Sequence, residues 1–396
     1  MSTDAFAPTR LNGLALRNRI IKTATFEGMS PGGIPAQALT DLHAGLARDG
    51  VGLTTVAYCA INDQGRTFGD QLWMDEHQAE RLRPLTSAVH AQGGAVSLQL
   101  GHCGGFSKHR APLGPSPAWN PYGVMVGLPR TRAMSQADLD RTADEFGQAA
   151  ALAQSAGFDA VEIHLGHGYL LSQFLSPATN RRTDAYGGSL ENRLRFPRQC
   201  LQAVRRAVGP GFPVLAKVNL SDGFAGGLDI AESVEVARQL EADRVDALVL
   251  SGGFVSRNAF YLMRGGRPLR AMIRAEGNPM QKLALAGFGP LLVQKYPFEE
   301  MFFLPMARQV RRAVSMPLVL LGGIMSRANV DVAMAEGFDF VAMGRALIAQ
   351  NDLVLRMQSD GAARTHCDQC NLCVAEMDIQ GTRCVLPRPA RSKNML

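Results

Sequence analysis

Eight short apolar runs recur along the chain, at residues 20–24, 52–58, 95–100, 159–164, 214–218, 247–251, 318–321 and 338–343. They are rich in Val, Ile and Leu and do not alternate polar with apolar, which is how strands covered on both faces of a parallel sheet read. Segments of helix length lie between them. Ser135 stands before a helix predicted over 136–156, Asp138 favours its first turn, and Gly157 supplies a left-handed exit. Ser189 opens another segment running to 208, where Pro197 is expected to force a kink or a split. Ser326 and Gly337 bracket a third, and 229–241 and 306–315 are further helix candidates.

Eight such strands separated by helices leave two α/β architectures, a closed (β/α)8 TIM barrel or an open doubly wound sheet. The open sheet calls for a Gly-x-Gly-x-x-Gly turn after its first strand, and the stretch from Ala24 to Gly28 has no such spacing. The barrel is therefore predicted over 1–365, with a Cys-rich segment over 366–396. From 254 to 305 the rhythm breaks, and a run of this length on the carboxyl side of a barrel strand is expected to be a lid over the active site or a structural excursion along the barrel flank.

Hydrophobic residues make up 46% of the chain and charged ones 19%, enough apolar material for one large core. The net charge of +6 is spread along the chain, apart from a small cluster at Arg388, Arg391 and Lys393. That suits anionic cofactors and argues against nucleic acid as a partner. No signal peptide is visible at the N-terminus and no stretch has the length of a membrane span, so the cytoplasm is the expected compartment. A homo-oligomer is compatible with the sequence but not specified by it.

In a barrel, reacting groups sit at the carboxyl ends of strands. The fourth run ends His164-Leu165-Gly166-His167-Gly168-Tyr169. Two neutral imidazoles can donate to one oxygen and withdraw charge from its carbon, and a nearby tyrosine can deliver a proton. His-x-x-His as a metal site, or as a buried structural pair, remains open at this level. Lys217 lies inside the fifth run and needs a counter-charge or polar ligand. It suits either the negative pyrimidine edge of a reduced flavin or a Schiff base, as in a lyase. Gln99 offers an amide donor and acceptor to the same edge. Glycines follow the last strands, at Gly322-Gly323 and at Gly344 before Arg345, where barrels commonly bind phosphate. Cys367, Cys370, Cys373 and Cys384 have spacing that suits a [4Fe–4S] cluster or zinc, with His366 a weaker candidate ligand.

Taken together, these motifs resemble the old yellow enzyme family of FMN-dependent NADH:flavin oxidoreductases. The resemblance covers nearly the whole chain, from Leu16-Arg17-Asn18-Arg19-Ile20 through Gln99-Leu100-Gly101-His102 to Gly344-Arg345-Ala346. Its most specific stretch is Arg181-Arg182-Thr183-Asp184-Ala185-Tyr186-Gly187-Gly188-Ser189-Leu190-Glu191-Asn192-Arg193. It implies a TIM-barrel flavoprotein reduced by NAD(P)H that passes hydride to an activated alkene, an ene-reductase, with a dehydrogenase or demethylase of the same family as the alternative. In that reading His164 and His167 hold the substrate's oxygen and Tyr169 donates the proton. Thr23, Ala24, Thr25, Phe26, Ala60, Gln99 and Lys217 contact the flavin ring, and Gly323, Gly344 and Arg345 bind the FMN phosphate. Phe26 replaces a redox-tuning cysteine of some relatives, and Gly105 replaces an arginine. The cysteine segment resembles the iron–sulfur segment of the dienoyl-CoA reductase and trimethylamine dehydrogenase branch, with a narrower second gap and no electron-feeding domain expected after it.

Overall fold

The computed structural model describes residues 4–377 and 379–387, so the basic cluster at Arg388, Arg391 and Lys393 lies outside the described residues. Eight parallel strands close on themselves: β1 (Ile20–Lys22), β2 (Leu53–Ala60), β3 (Ala95–Gly101), β4 (Ala160–Leu165), β5 (Val214–Asn219), β6 (Ala247–Ser251), β7 (Leu318–Leu321) and β8 (Phe340–Met343), each paired with its successor and β8 with β1. Around them run α1 (Gln37–Arg48), α2 (Glu76–Ala91), α3 (Gln136–Ser155), α4 (Leu190–Val208), α5 (Ile230–Ala242), α6 (Leu304–Ala313), α7 (Arg327–Ala335) and α8 (Leu353–Ser359). The chain is a TIM barrel, and the apolar runs became its strands with no boundary moved by more than two residues.

Side-chain alternation divides the strands between two cores. Ile21, Leu53, Ala95, Ala160, Leu215, Ala247, Val249, Val319, Phe340 and Ala342 pack together inside the barrel. Leu11 and Leu16 join them from an N-terminal hairpin (Thr9–Leu11 with Leu14–Leu16). Most of the remaining apolar strand residues face the helices in a much larger core. Counting forward in twos from the interior residues, Thr23, Gln99, Glu162, His164, Lys217 and Ser251 all point inward at the carboxyl ends of their strands. There the apolar filling gives way to polar groups.

Local signals act as the sequence predicts at most ends. Ser135 and Asp138 form a reciprocal capping box on α3, and Gly157 takes φ +90° beyond it. Ser189, Asp229 and Ser326 cap α4, α5 and α7. Pro197 does not split α4, which runs through it as one helix. Phe196, Pro197, Cys200 and Leu201 are all buried, and burial worth about 1.5–3 kcal/mol for each large apolar side chain offsets the roughly 3 kcal/mol cost of an interior proline.

The segment after β6 forms short helices at Val255–Asn258, Leu269–Ala275 and Pro279–Leu292 before α6 begins. It reaches back to the other loops at the barrel mouth. The Tyr122 hydroxyl donates to the Val255 carbonyl at 3.4 Å, and Lys108 Nζ to Gln281 Oε1 at 3.3 Å. The cysteine segment closes over the first strand's loop: the Thr382 hydroxyl donates to the Phe26 carbonyl at 2.8 Å, and the Thr382 N–H to the Glu27 carbonyl. No helix among the described residues is long and apolar enough to cross a membrane.

Candidate active site

The β4 strand delivers His164 to the mouth, and the chain then turns sharply. His167 sits at φ +60° and Gly168 at φ +76°, an unusual pair of left-handed residues. Asn219 at the end of β5 holds this turn by accepting the His167 N–H at 2.9 Å, while the His167 carbonyl accepts from Val255 N. The strained turn sets the two imidazoles face to edge, with ring centroids 4.9 Å apart and planes at 89°. Tyr169 lies 4.6 Å from His164 and stacks on Tyr58 at 4.8 Å, with Phe106 on its other flank at 5.2 Å.

Each imidazole is held in a defined way. The Gly166 N–H donates to His164 Nδ1 at 3.3 Å, so that nitrogen is unprotonated and Nε2 carries the hydrogen of the neutral ring. His167 Nε2 pairs with the Ser251 hydroxyl at 2.7 Å, which leaves Nδ1 to act as the donor when Ser251 gives its proton to Nε2. Burial pushes both histidines' pKa down, that of His167 to about 3, with Lys217 adding to the effect and His167 also opposing charge on His164. Both are therefore neutral at physiological pH. Burial, with Cys103 and Tyr122 nearby, pushes the Tyr169 phenol up, so it keeps its proton.

Beside this pair lies a second polar set. Lys217 Nζ stands 2.8 Å from Glu162 Oε1 and 3.1 Å from Thr23 Oγ1, and the Gln99 amide donates to the same Glu162 oxygen at 2.6 Å. Burial pushes the Lys217 ammonium's pKa down and Glu162 opposes that. A buried ammonium kept by a carboxylate is not the unpaired amine that a Schiff base requires. Gly344 packs against Thr23, which brings the ends of β8 and β1 together, and Ala60 and Ala24 line the apolar wall with Tyr58 and Trp73. Phe26 meets Phe68 edge on at 5.0 Å.

Most of the residues singled out from sequence thus converge on the mouth. Arg345 behaves differently: its Nη1 donates to the Met263 carbonyl, to the Arg264 carbonyl at 2.8 Å and to Asn371 Oδ1, all away from the histidines. Cys367, Cys370, Cys373 and Cys384 line one cavity together with Arg345, and all four are free thiols. Burial raises the Cys373 thiol to about 11, against the pull of Arg345. Among the described residues no three His, Cys, Asp or Glu side chains are placed to hold a metal ion. Sequence reading missed Tyr58, Glu162, Asn219 and Ser251. Glu162 carried the same signal as Lys217, a charged residue within an apolar strand, whereas the others became visible only through their contacts.

The model of the NADH:flavin oxidoreductase / NADH oxidase family matches residues 4–257. The chain belongs to that family. It is an FMN-dependent oxidoreductase that uses NAD(P)H. A 4,4'-dithiodibutanoate disulfide reductase from Rhodococcus erythropolis is 44% identical over 96% of this chain and 94% of its own length. An NADH oxidase from Thermoanaerobacter brockii is 28% identical over 96% of this chain, which spans 55% of that protein. Among solved structures, a morphinone reductase superposes with a TM-score of 0.69 at 27% identity, covering 91% of each chain.

The buried histidines make a testable link between site and stability. Burial lowers the pKa of His43, His164, His102 (to about 4) and His167 (to about 3). The unfolded chain takes up protons on these rings below about pH 6.5, while the folded chain holds them neutral. Stability is therefore fully present above about pH 6.5 and lost as the pH falls toward the folded values. For His102 and His167 together the loss is about 2–3 kcal/mol per pH unit between about pH 6 and 4. Melting temperature should fall steeply over that window, and less steeply for His102→Gln. A melting temperature flat from pH 7 to 5 would contradict this account.

Proposed function

We propose that the enzyme is an ene-reductase, with the imidazole pair of His164 and His167 gripping the carbonyl or nitro oxygen of an activated alkene and Tyr169 protonating the adjacent carbon. One observation carries the reading: two neutral imidazoles and a protonated phenol at the barrel mouth, with the His167 and Tyr169 rings each within 5 Å of the His164 ring. FMN held at the barrel mouth would supply the hydride carrier between NAD(P)H and the acceptor. Lys217 and Gln99 suit the pyrimidine edge, where the ammonium that otherwise pairs with Glu162 alone would also balance negative charge on a reduced ring. Thr23, Ala24, Thr25, Phe26 and Ala60 suit the ring's remaining edges, and the Gly323 and Gly344 turns suit the phosphate. The inserted segment at 254–305 acts as the lid that excludes water and selects the substrate.

In the same reading Cys367, Cys370, Cys373 and Cys384 hold a [4Fe–4S] cluster or zinc. Their lining one cavity together with Arg345 supports this, because thiolates that bind metal need deprotonation and the guanidinium opposes the burial that raises the Cys373 thiol. Metal analysis of anaerobically purified protein should find iron and sulfide at about four per chain, or one zinc. Retention of neither would reject the site.

The 44% identity to a disulfide reductase favours a second reading, in which the acceptor is a disulfide and Tyr169 protonates the departing thiolate. Stopped-flow mixing of NAD(P)H-reduced enzyme with a cyclic enone, a nitroalkene or 4,4'-dithiodibutanoate separates the two. Fast reoxidation by the alkenes is expected. Reoxidation by the disulfide alone would transfer the function to disulfide reduction.

A further inference from the structure

We propose that the segment inserted after β6 seats the protein on an anionic membrane surface. The exposed apolar face of its Pro279–Leu292 helix enters the lipid, and the cations around it meet the headgroups. The proposal concerns where the protein docks and stands whichever acceptor the barrel mouth reduces.

The helix itself gives the first ground. Met280, Leu283, Ala284, Gly287 and Phe288 recur at the spacing that lines up one face of a helix. A surface helix ordinarily turns such a stripe toward the core. Here all five residues are exposed, Met280 by 67%, Leu283 by 75% and Phe288 by 64%. The buried contact is on the opposite side, where Gly289 packs against Leu269 of the preceding helix. Lys282 is the only charged residue of the helix. A neighbouring loop extends the apolar surface: Lys108 Nζ reaches Gln281 Oε1 at 3.3 Å, and Asn120 donates to the Ser107 carbonyl at 2.9 Å. Trp119, next to Asn120, is 62% exposed.

Charge is the second ground. Between residues 255 and 296 stand seven Lys and Arg and one carboxylate, Glu276, an excess equal to the +6 of the whole chain. Arg270, Arg274, Lys282 and Lys295 are exposed, and among the described residues none of them forms an ion pair. Cations elsewhere are matched, as Arg308 is by Glu336 and Arg311 by Asp339. Unmatched basic residues around an apolar face are the combination that holds interfacial helices on anionic lipid.

The same features discriminate between occupants. A second copy would bring an equal positive excess against this one, which disfavours self-association through this face. Nucleic acid offers phosphates but nothing for the apolar stripe. With 14 residues the helix is about 21 Å long, too short to cross a hydrocarbon core of roughly 30 Å, so it lies in the interface.

Co-sedimentation of the intact protein with two kinds of vesicle tests this: phosphatidylcholine alone, and equal parts phosphatidylcholine and phosphatidylglycerol. The unaltered protein should bind the mixed vesicles at least about tenfold more tightly than the neutral ones, and salt should release it. Arg270→Gln with Arg274→Gln and Lys282→Gln should weaken that binding about a hundredfold, at about fivefold per cation. Leu283→Ser with Phe288→Ser should weaken it at least about tenfold. Both sets change exposed side chains, so each variant should keep the melting temperature of the unaltered protein. Absence of binding to the mixed vesicles, indifference to lipid charge, or full binding by the Leu283 and Phe288 double variant would overturn the proposal. So would a dimer in solution that the double variant dissociates, since the stripe would then cover a second copy.

Discussion

Tyr169→Phe is expected to slow reoxidation of the reduced enzyme by an activated alkene about a hundred- to ten-thousandfold, the usual span for a lost general acid. Reduction of the flavin by NAD(P)H should change little, because hydride transfer from a nicotinamide requires no proton from the enzyme. The phenol suits its task because burial keeps it protonated, and its ring is pinned by Tyr58 on one face and Phe106 nearby. Phenylalanine keeps that stacking and removes only the hydroxyl. Rapid-mixing measurements of the two half-reactions provide the check: a comparable loss in both would show that Tyr169 positions the flavin or nicotinamide rather than supplying a proton.

Removing both imidazoles, His164→Ala with His167→Ala, should cost at least a hundredfold in kcat/KM for enones and nitroalkenes, since each donor to a developing oxyanion is commonly worth that much. It should also abolish the long-wavelength band that phenols give on binding beside the oxidised flavin. A single His167→Ala change is expected to do less than half of this on a logarithmic scale, because His164 retains its own N–H, fixed by the Gly166 amide. Phenol binding that survives the double change would exclude the pair as an oxygen clamp. If disulfide turnover also survived it while alkene turnover was lost, the two acceptor classes would use different residues of one mouth.

Much of the fold was legible because burial on both faces leaves a plain trace in composition. A strand between a barrel interior and a helix layer has no solvent face, so Val, Ile and Leu run on without alternation, and eight such runs emerged as eight strands. Charged or amide residues inside those runs were conspicuous for the same reason, which is why Gln99, His164 and Lys217 stood out. Pro197 did not split its helix because propensity is local while its cost was met by burial of its neighbours Phe196, Cys200 and Leu201. The partners of the site residues left weaker traces. Ser251 and Asn219 are ordinary at the end of a strand, and their use follows from register, which sets Asn219 level with Ser251, and from the turn that brings His167 onto both.

By itself the sequence determined the eightfold alternation, the histidine and tyrosine triplet at the fourth strand's end, and the glycine turns after the last two strands. All of these are set by neighbours within a few residues. Tertiary structure alone decided which nitrogen of His164 is free to donate, that His167 pairs with Ser251, that Thr382 clasps a loop 356 positions earlier, and that Arg345 reaches Asn371 of the cysteine segment. The physical reason is range. Apolar burial writes itself into local composition, whereas a hydrogen bond or ion pair exists only where folding brings distant groups within about 3 Å.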